Sequence, residues 1–493
     1  LRASIDPEPD ADLKARKQRL ERLLTISYDP DESTRIAAID EMSGDTGVDV
    51  RAVLNPLVAT TLNVFEGDPP ESANVARILR PGSDDLPRED AYAMLAEAGL
   101  APPRVTPGDV RNALADHITD GSVGGVALAD LSDPQARVTA YTALAAEGLV
   151  PPYLSDEEVD AALAAHRFAE VYAEPSPAVT DAAQQAMEAI DLNVGFAQSL
   201  NLGLDALSLA SIYFLAAIGL AITFGVMGVI NMAHGEFIMM GAYTGYVVQQ
   251  VIPNHTLSIA VAIPLAFAVT FGAGVAMERL VIRHLYNRPL ETLLATFGIS
   301  IALQQLFKNI FGTQARPLTS PDWLGGAWQL NDVVSISYIR IAIFVLAMLF
   351  LALFLFIMKR TRLGLETRAV TQNPGMAGAM GINPGRVNML TFGLGSGIAG
   401  IAGVAIGLFA KVTSELGADY IVQSFMTVVV GGVGNIWGTL LGAGMIGGLQ
   451  KGIEWLNPSN TLAAQTYMIV FIIIFIQFRP KGIIALKGRA AGD

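Results

Sequence analysis

The sequence contains no cysteine and has few charged residues. Without cysteine the chain has no disulfide, no thiolate metal ligand and no cysteine nucleophile. Charged residues make up 16% of the 493 residues and hydrophobic residues 52%, which excludes a disordered chain or an ordinary soluble protein. This balance indicates a membrane protein.

The net charge of −14 is divided unevenly along the chain. Residues 1–200 hold 15 basic and 35 acidic side chains, whereas residues 201–493 hold 17 and 11. The net charges are therefore −20 and +6. This split predicts two domains, an acidic soluble domain over 1–200 and a membrane domain over 201–493.

From Asp205 onward, apolar runs of membrane-spanning length follow one another. A hydrocarbon core of about 30 Å requires about 20 apolar residues per helix. The pattern predicts an all-α, polytopic membrane protein with eight to nine spans, near 206–230, 236–252, 256–282, 291–311, 337–358, 388–410, 420–434, 436–453 and 464–478. The seventh and eighth spans are short and interrupted by glycine, which predicts discontinuous or re-entrant segments.

Lysine and arginine gather in three segments of the membrane half. Cytoplasmic loops carry an excess of positive charge, so these segments are predicted to lie inside the cell. They contain Arg279, Arg283 and Arg288; Lys359, Arg360, Arg362, Arg368 and Arg386; and Arg479, Lys481, Lys487 and Arg489. Alternation then places loops 313–335, 411–419 and 454–463, together with the domain 1–200, outside the cytoplasm.

The acidic region contains alanine-rich stretches with helical periodicity, separated by Pro-Gly and Pro-Pro pairs. One internal repeat is visible, because residues 92–103 match residues 141–152. Each copy predicts a helix that is ended by glycine and followed by Pro-Pro. The region is therefore predicted to be a short array of helical hairpins, similar to HEAT repeats.

Glycines in the membrane half form a literal GxGxxG over 395–400, but no strand precedes it and no acidic residue follows at the distance that a ribose contact requires. Small residues spaced four apart instead predict close packing between helices. The pairs are Gly393 and Gly397, Ser396 and Gly400, and Gly403 and Gly407; later come Gly434, Gly438 and Gly442, and then Gly444 and Gly448.

Two further enzyme signatures are incomplete. His234-Gly-Glu236 has the H-x-E form of a zinc deaminase, but the thiolate partners of that site are missing, so no metal is expected. No lysine follows a glycine, so the GxxxxGK[ST] loop that binds ATP is absent. The chain is not predicted to be an enzyme, and energy for its work must come from elsewhere.

The polar segment Ile230–Glu236 lies between the first two predicted spans. A carboxylate and an imidazole near membrane depth are costly unless they are paired or line water. The segment is therefore either an ordinary polar turn or part of an inner gate or path.

The loop from Lys359 to Arg386 has the signals of a short helix outside the bilayer. Asn373 is a favourable N-cap, Pro374 suits the first helical position, and Gly381 can end the helix. Met376 and Met380 would then share one face. This helix is either structural or a docking element for a separate motor subunit.

At these segments the sequence resembles the permease subunits of branched-chain amino-acid and amide ABC transporters. The similar motifs are Asn231–Glu236, Leu294–Gln304, Arg362–Arg368, Met380–Asn383 and Gly431–Gly438. The resemblance implies a multi-pass protein of the bacterial inner membrane that needs no cofactor of its own and binds no nucleic acid. It also implies a second permease, two cytoplasmic ATPases that use ATP, and an extracytoplasmic binding protein.

The resemblance also implies roles for individual residues. Coupling to the ATPases is expected in the loop 359–387, at Arg368, Asn373, Pro374, Met376, Met380, Gly381 and Asn383. Candidate path residues are the polar groups on or beside apolar spans, namely Asn231, His234, Glu236, Thr296, Ser300 and Gln304. Any of these six could instead be a core residue satisfied by neighbouring helices.

The long acidic N-terminal region resembles that of the urea-type members of the family. The expected solute is therefore urea or a short amide. Two alternatives stay open: a permease for branched-chain amino acids, and a passive channel for a small neutral solute.

Overall fold

A computed structural model describes residues 2–286, 288–331 and 333–484. Lys487 and Arg489, which were counted among the predicted cytoplasmic residues, lie outside this described part. The chain divides into two units, Leu1–Val194 and Gly195–Asp493.

The first unit combines helices with a small sheet. Its elements are α1 (Ala11–Tyr28), α2 (Glu32–Met42), α3 (Val48–Val58), β1 (Thr60–Phe65), β2 (Val75–Leu79), α4 (Arg88–Glu97), α5 (Pro107–Asp116), β3 (Ser122–Val123), β4 (Val126–Ala127), α6 (Pro134–Ala146), α7 (Asp156–Ala165) and β5 (Arg167–Tyr172). Side-chain caps begin most of these helices. Thr106 and Ser155, for example, each form a reciprocal capping box at the start of α5 and α7.

The sheet contradicts the all-α prediction for this unit. Strands β1 and β2 both pair with β5 in antiparallel register, in the order β1-β5-β2. Thr60 lies opposite Tyr172, far away in sequence, so no local periodicity announces the pairing. The prediction of a HEAT-like array is not confirmed.

Helix α8 (Pro177–Met227) is longer than expected. The sequence predicted a first span over 206–230, but one helix of 51 residues begins much earlier, at Pro177, and ends at Met227. Residues 191–205 carry no proline and continue the helix.

The second unit continues with helices at the other eight predicted span positions and in the predicted coupling loop. They are α9 (His234–Val251), α10 (His255–Leu280), α11 (Pro289–Phe311), α12 (Tyr338–Arg360), α13 (Arg362–Gln372), α14 (Pro374–Ala379), α15 (Pro384–Gly407), α16 (Leu416–Gly431), α17 (Ile436–Leu456) and α18 (Thr461–Phe478). A hairpin of β6 (Ala327–Gln329) and β7 (Ser335–Ser337) precedes α12.

Within the described part, five helices are long and apolar enough to cross a membrane: α8, α11, α12, α15 and the stretch His255–His284. The pair α16 and α17 adds a sixth if it counts as one span, since the two helices meet at a bend of 119°. The expected interruption between the seventh and eighth spans is therefore present. The predicted count of eight to nine spans is not confirmed.

Helix α9 packs against α10, α15 and α16, and glycines allow the close approach. A Cβ atom on Gly403 would overlap the carbonyl oxygen of Ile238, and one on Gly241 would overlap that of Gly400. Gly393 and Gly397 meet aromatic rings of α10 in the same way. The predicted glycine packing is thus confirmed on α15.

The second glycine series is only partly a packing surface. Gly438 lies against Gly431, and Gly442 against the carbonyl oxygen of Thr427, so both hold α16 and α17 together. No atom of the described residues lies within 4 Å of a Cβ on Gly444 or Gly448. The packing prediction is wrong for these two residues, because their spacing did not reveal which face of α17 meets another helix.

We expect Gly403→Ala to destabilise the second unit by about 1–3 kcal/mol, because the added methyl group meets backbone atoms of α9 rather than a side chain that can move. Gly444→Ala is the matched control, since it adds the same group to open space and favours the helix by about 1 kcal/mol. Thermal unfolding of the full chain in detergent would measure both. Equal melting temperatures for the two variants would contradict the packing assignment.

Candidate functional site

The chain unwinds between α8 and α9, at the polar segment noted in the sequence. Gly228 has a φ of 64°, which suits glycine and ends α8. Asn231 Oδ1 accepts a hydrogen bond from the Ala233 amide at 3.1 Å, and the Met232 amide donates to Thr296 Oγ1 at 3.1 Å. The turn is therefore stabilised by one hydrogen bond within itself and by another to α11.

His234 is the first residue of α9 and is fully buried. Its Nε2 lies 2.8 Å from the carbonyl oxygen of Ala216, an acceptor, so Nε2 carries the hydrogen. Its Nδ1 is buried and has no partner in the described part of the chain. The neutral ring therefore presents a free acceptor.

Glu236 lies less than one turn further along α9 and is 1% exposed. Ser300 Oγ donates to its Oε1 at 2.8 Å, and Gln304 Nε2 donates to the same oxygen at 3.0 Å. The other oxygen, Oε2, is buried without a partner in the described residues. Oε1 of the carboxylate is thus hydrogen-bonded to α11, whereas Oε2 is left with free capacity to accept a hydrogen bond.

Three of the six predicted path residues, Glu236, Ser300 and Gln304, are in direct contact. Thr296 contacts the turn that contains Asn231, whereas the side chain of His234 contacts Ala216 of α8 instead. Thr296, Ser300 and Gln304 are spaced four apart and share one face of α11, which faces the start of α9. Because Met232 contacts Thr296 while Glu236 contacts Ser300 and Gln304, the two helices run in the same direction.

Tyr243 extends this contact along α9, and the sequence reasoning missed it. It lies seven residues after Glu236, on the same face, and its ring stacks on Phe311 with a centroid distance of 4.4 Å. Phe307 lies 5.2 Å away, and the Tyr243 hydroxyl is buried without a partner in the described residues. Its spacing of seven residues from Glu236 is the feature of the sequence that could have identified Tyr243.

Among the described residues, the unpartnered buried atoms of this segment are Asn231 Nδ2, His234 Nδ1 and Glu236 Oε2, and the Tyr243 hydroxyl is a fourth, further along α9. Buried polar atoms without partners are uncommon in native proteins, and a passing ligand can satisfy them. Among the described residues, no three His, Asp or Glu side chains lie close enough to hold a metal ion. The segment is therefore suited to binding a small polar molecule by hydrogen bonds.

The second candidate site is the loop between α12 and α15, where the expected short helix is present as α14. Asn373 Oδ1 accepts from the Met376 amide at 2.9 Å, and Pro374 occupies the first turn. Gly381 ends the segment with a φ of 86°, and Asn383 caps α15 by accepting from the Arg386 amide. Arg368 donates to the carbonyl oxygen of Met358 and so ties α13 to the end of α12.

The two faces of α14 differ. Ala377 is 4% exposed and packs with Val370 and Val387, which fixes the helix on α13 and α15. Met376 and Met380 are 63% and 76% exposed. Exposed methionine side chains are adaptable contact groups, so this face is available to a partner.

Comparison with known proteins covers the second unit. The family described as "Branched-chain amino acid transport system / permease component" matches residues 203–477. The chain is 32% identical over 294 residues to the high-affinity branched-chain amino acid permease protein BraD of Pseudomonas aeruginosa, covering 57% of this chain and 94% of that protein.

It is also 32% identical over 295 residues to the permease protein LivH of Escherichia coli, covering 57% of this chain and 93% of LivH. The inner membrane ABC transporter permease YjfF of Escherichia coli is 28% identical over 278 residues, covering 53% and 78%. No solved structure matches. The chain belongs to the family of branched-chain amino acid permease components, through a match confined to its second unit.

Proposed function

We propose that the chain is the permease subunit of an ATP-driven importer and that its solute is a branched-chain amino acid. The printed names of BraD and LivH both describe branched-chain amino acid transport. They favour this alternative over urea or a short amide, which the acidic N-terminal region had suggested.

The observation that carries the proposal is the buried carboxylate of Glu236. Its Oε2 is buried without a partner among the described residues, and an ionised carboxylate carries a negative charge. The ammonium group of an amino acid carries a positive charge and three donors, so it suits a carboxylate with a free acceptor. Urea has no positive charge to neutralise a buried carboxylate.

The neighbouring aromatic residues suit the rest of the same solute. Tyr243, Phe307 and Phe311 form an apolar cluster further along the two parallel helices. An aliphatic side chain can pack there while its ammonium group lies at Glu236. With the predicted topology, the aromatic cluster lies on the outer side of Glu236, so a solute entering from outside meets it first.

Transport against a gradient requires partners, because the chain lacks a phosphate-binding loop of its own. We propose a second permease, two cytoplasmic ATPases that contact α14, and an extracytoplasmic binding protein. Closure of the ATPases would move α14, and the glycine-packed helices α9, α10 and α15 would rearrange to open the path inward.

The test is uptake by the complete complex in proteoliposomes, with radiolabelled leucine and urea compared at equal concentration. Leucine uptake that requires ATP on the side of the membrane where the ATPases lie supports the proposal. ATP-dependent uptake of urea without leucine would restore the urea hypothesis. Uptake of either solute by the permease alone, without ATP, would identify a passive channel instead.

A further inference from the structure

The first unit contains a duplicated helical hairpin, which lies outside the family match over residues 203–477. Hairpin α4–α5 and hairpin α6–α7 share a sequence pattern, and both first helices are followed by a glycine with a φ of 71° or 74°. Both second helices end at a histidine, His117 and His166, whose Nδ1 lies 2.8 Å and 2.7 Å from the carbonyl oxygen four residues earlier. Positions in the two hairpins can therefore be equated one by one.

Each helix of one hairpin packs against a helix of the other hairpin. Helix α4 packs on α7 in one small core, and α5 packs on α6 in the other. The first core contains Tyr92, Leu95, Val159 and Leu163, and the second contains their equivalents Tyr141, Leu144, Val110 and Leu114. The contacts of a residue in one helix pair can thus be compared with those of its equivalent in the other pair.

The two pairs differ at one arginine. In the pair of α4 and α7, Arg88 Nε donates to Asp160 at 2.7 Å, and its Nη1 donates to Asp156 at 3.2 Å. The equivalent of Arg88 in the other pair is Arg137. The equivalents of the two aspartates are Pro107 and Arg111, so the carboxylates that neutralise Arg88 have no counterpart beside Arg137.

Arg137 forms no ion pair with any residue that the structure describes. Its Nη2 reaches only the carbonyl oxygen of Ser132, at 3.4 Å, and its Nε is shielded from solvent and has no partner in the described part of the chain. Arg111 donates a hydrogen bond to the carbonyl oxygen of Pro107 on its own helix. A half-buried guanidinium without an anion is an unfavourable arrangement that an added carboxylate would relieve.

Arg137 lines a cleft of about 900 Å³. The other walls are largely aromatic and aliphatic, and include Tyr92, Tyr153, Val105, Val110 and Val138. Arg104 also borders the cleft, but Asp156 already pairs with it at 2.7 Å. Glu89 and Glu97 border the cleft as exposed residues, and their charge disfavours a ligand with several negative groups.

We infer that this cleft binds a small organic monocarboxylate with an apolar body. Its carboxylate accepts hydrogen bonds from Arg137, as Asp160 does from Arg88, and its apolar body packs against the valine and tyrosine walls. The site is separate from the candidate path at Glu236 and does not depend on the transported solute.

The test is calorimetric titration of the full chain in detergent with isovalerate, isovaleramide and leucine. Isovalerate should bind, whereas isovaleramide, which has the same shape without the charge, should bind about ten- to hundredfold more weakly. The path at Glu236 is itself proposed to bind leucine, so only leucine binding that Arg137→Gln removes is assigned to the cleft. Such binding as tight as that of isovalerate would assign the cleft to apolar amino acids, and weaker binding to simple carboxylic acids; both outcomes retain the carboxylate. Equal binding of the amide, or no binding of isovalerate up to about 10 mM, would overturn the inference.

Two variants test the role of Arg137. Arg137→Gln should weaken isovalerate binding by about ten- to hundredfold, while Arg111→Gln, which removes an exposed arginine nearby, should not change it. Arg111→Asp supplies the carboxylate that the other helix pair has at Asp160, so it should abolish binding and leave the melting temperature equal or higher. If Arg137→Gln unfolds the unit, Arg111→Asp still decides, because unchanged binding in that variant would contradict the proposed contact.

Discussion

Substitution of Glu236 by glutamine should reduce ATP-dependent uptake about ten- to hundredfold while leaving the complex assembled. The amide oxygen of glutamine can still accept from Ser300 and Gln304, so the contact between α9 and α11 is retained. The negative charge and the free acceptor at Oε2 are lost, and with them the partner for a cationic group of the solute. Uptake of radiolabelled leucine by the reconstituted complex measures the effect.

Glu415→Gln is the matched control for this substitution. Glu415 lies in the same unit and forms an exposed ion pair with Lys308 at 3.0 Å, a contact worth at most about 1 kcal/mol. Its loss should leave uptake near the wild-type rate. Normal uptake by Glu236→Gln in a complex that assembles would remove Glu236 from the path and favour its alternative role as a satisfied core residue.

The features that the sequence predicted well are those encoded by neighbouring residues. The start and end of α14 follow from Asn373, Pro374 and Gly381, because caps act within one helical turn. Glu236, Ser300 and Gln304 stand out in the sequence as polar residues on or beside apolar spans, and the structure joins them by two hydrogen bonds. Such signals do not depend on how distant parts of the chain come together.

The features that the sequence did not reveal depend on distant contacts. The sheet joins β1 and β2 to β5 across about half of the first unit, and its strands are too short to stand out by alternation. The glycines of α17 look alike in sequence, yet Gly442 packs closely and Gly444 faces open space. Likewise, the missing partner of Arg137 is visible only once the helices of one hairpin are seen to pack against those of the other.

Replacement of both exposed methionines of α14, by Met376→Gln and Met380→Gln together, should uncouple ATP hydrolysis from uptake. Both side chains are exposed, and the buried contact of α14 is made by Ala377, so the helix should keep its position. The two substitutions remove apolar surface that an ATPase can contact. Each methylene group buried in such a contact contributes about 0.8 kcal/mol to the free energy of binding. We expect at least a tenfold fall in uptake, with residual ATPase activity that no longer responds to the loaded binding protein.

The matched control is Val251→Gln at the far end of α9, an equally exposed apolar residue that the predicted topology places on the outer side. It should leave both uptake and stimulated ATP hydrolysis unchanged. Because Ala377 holds α14 in place by packing with Val370 and Val387, a structural role would appear as a lower melting temperature in the double variant. Unaltered stability with lost stimulation therefore assigns α14 to coupling, whereas unaltered stimulation would show that the ATPases contact another surface.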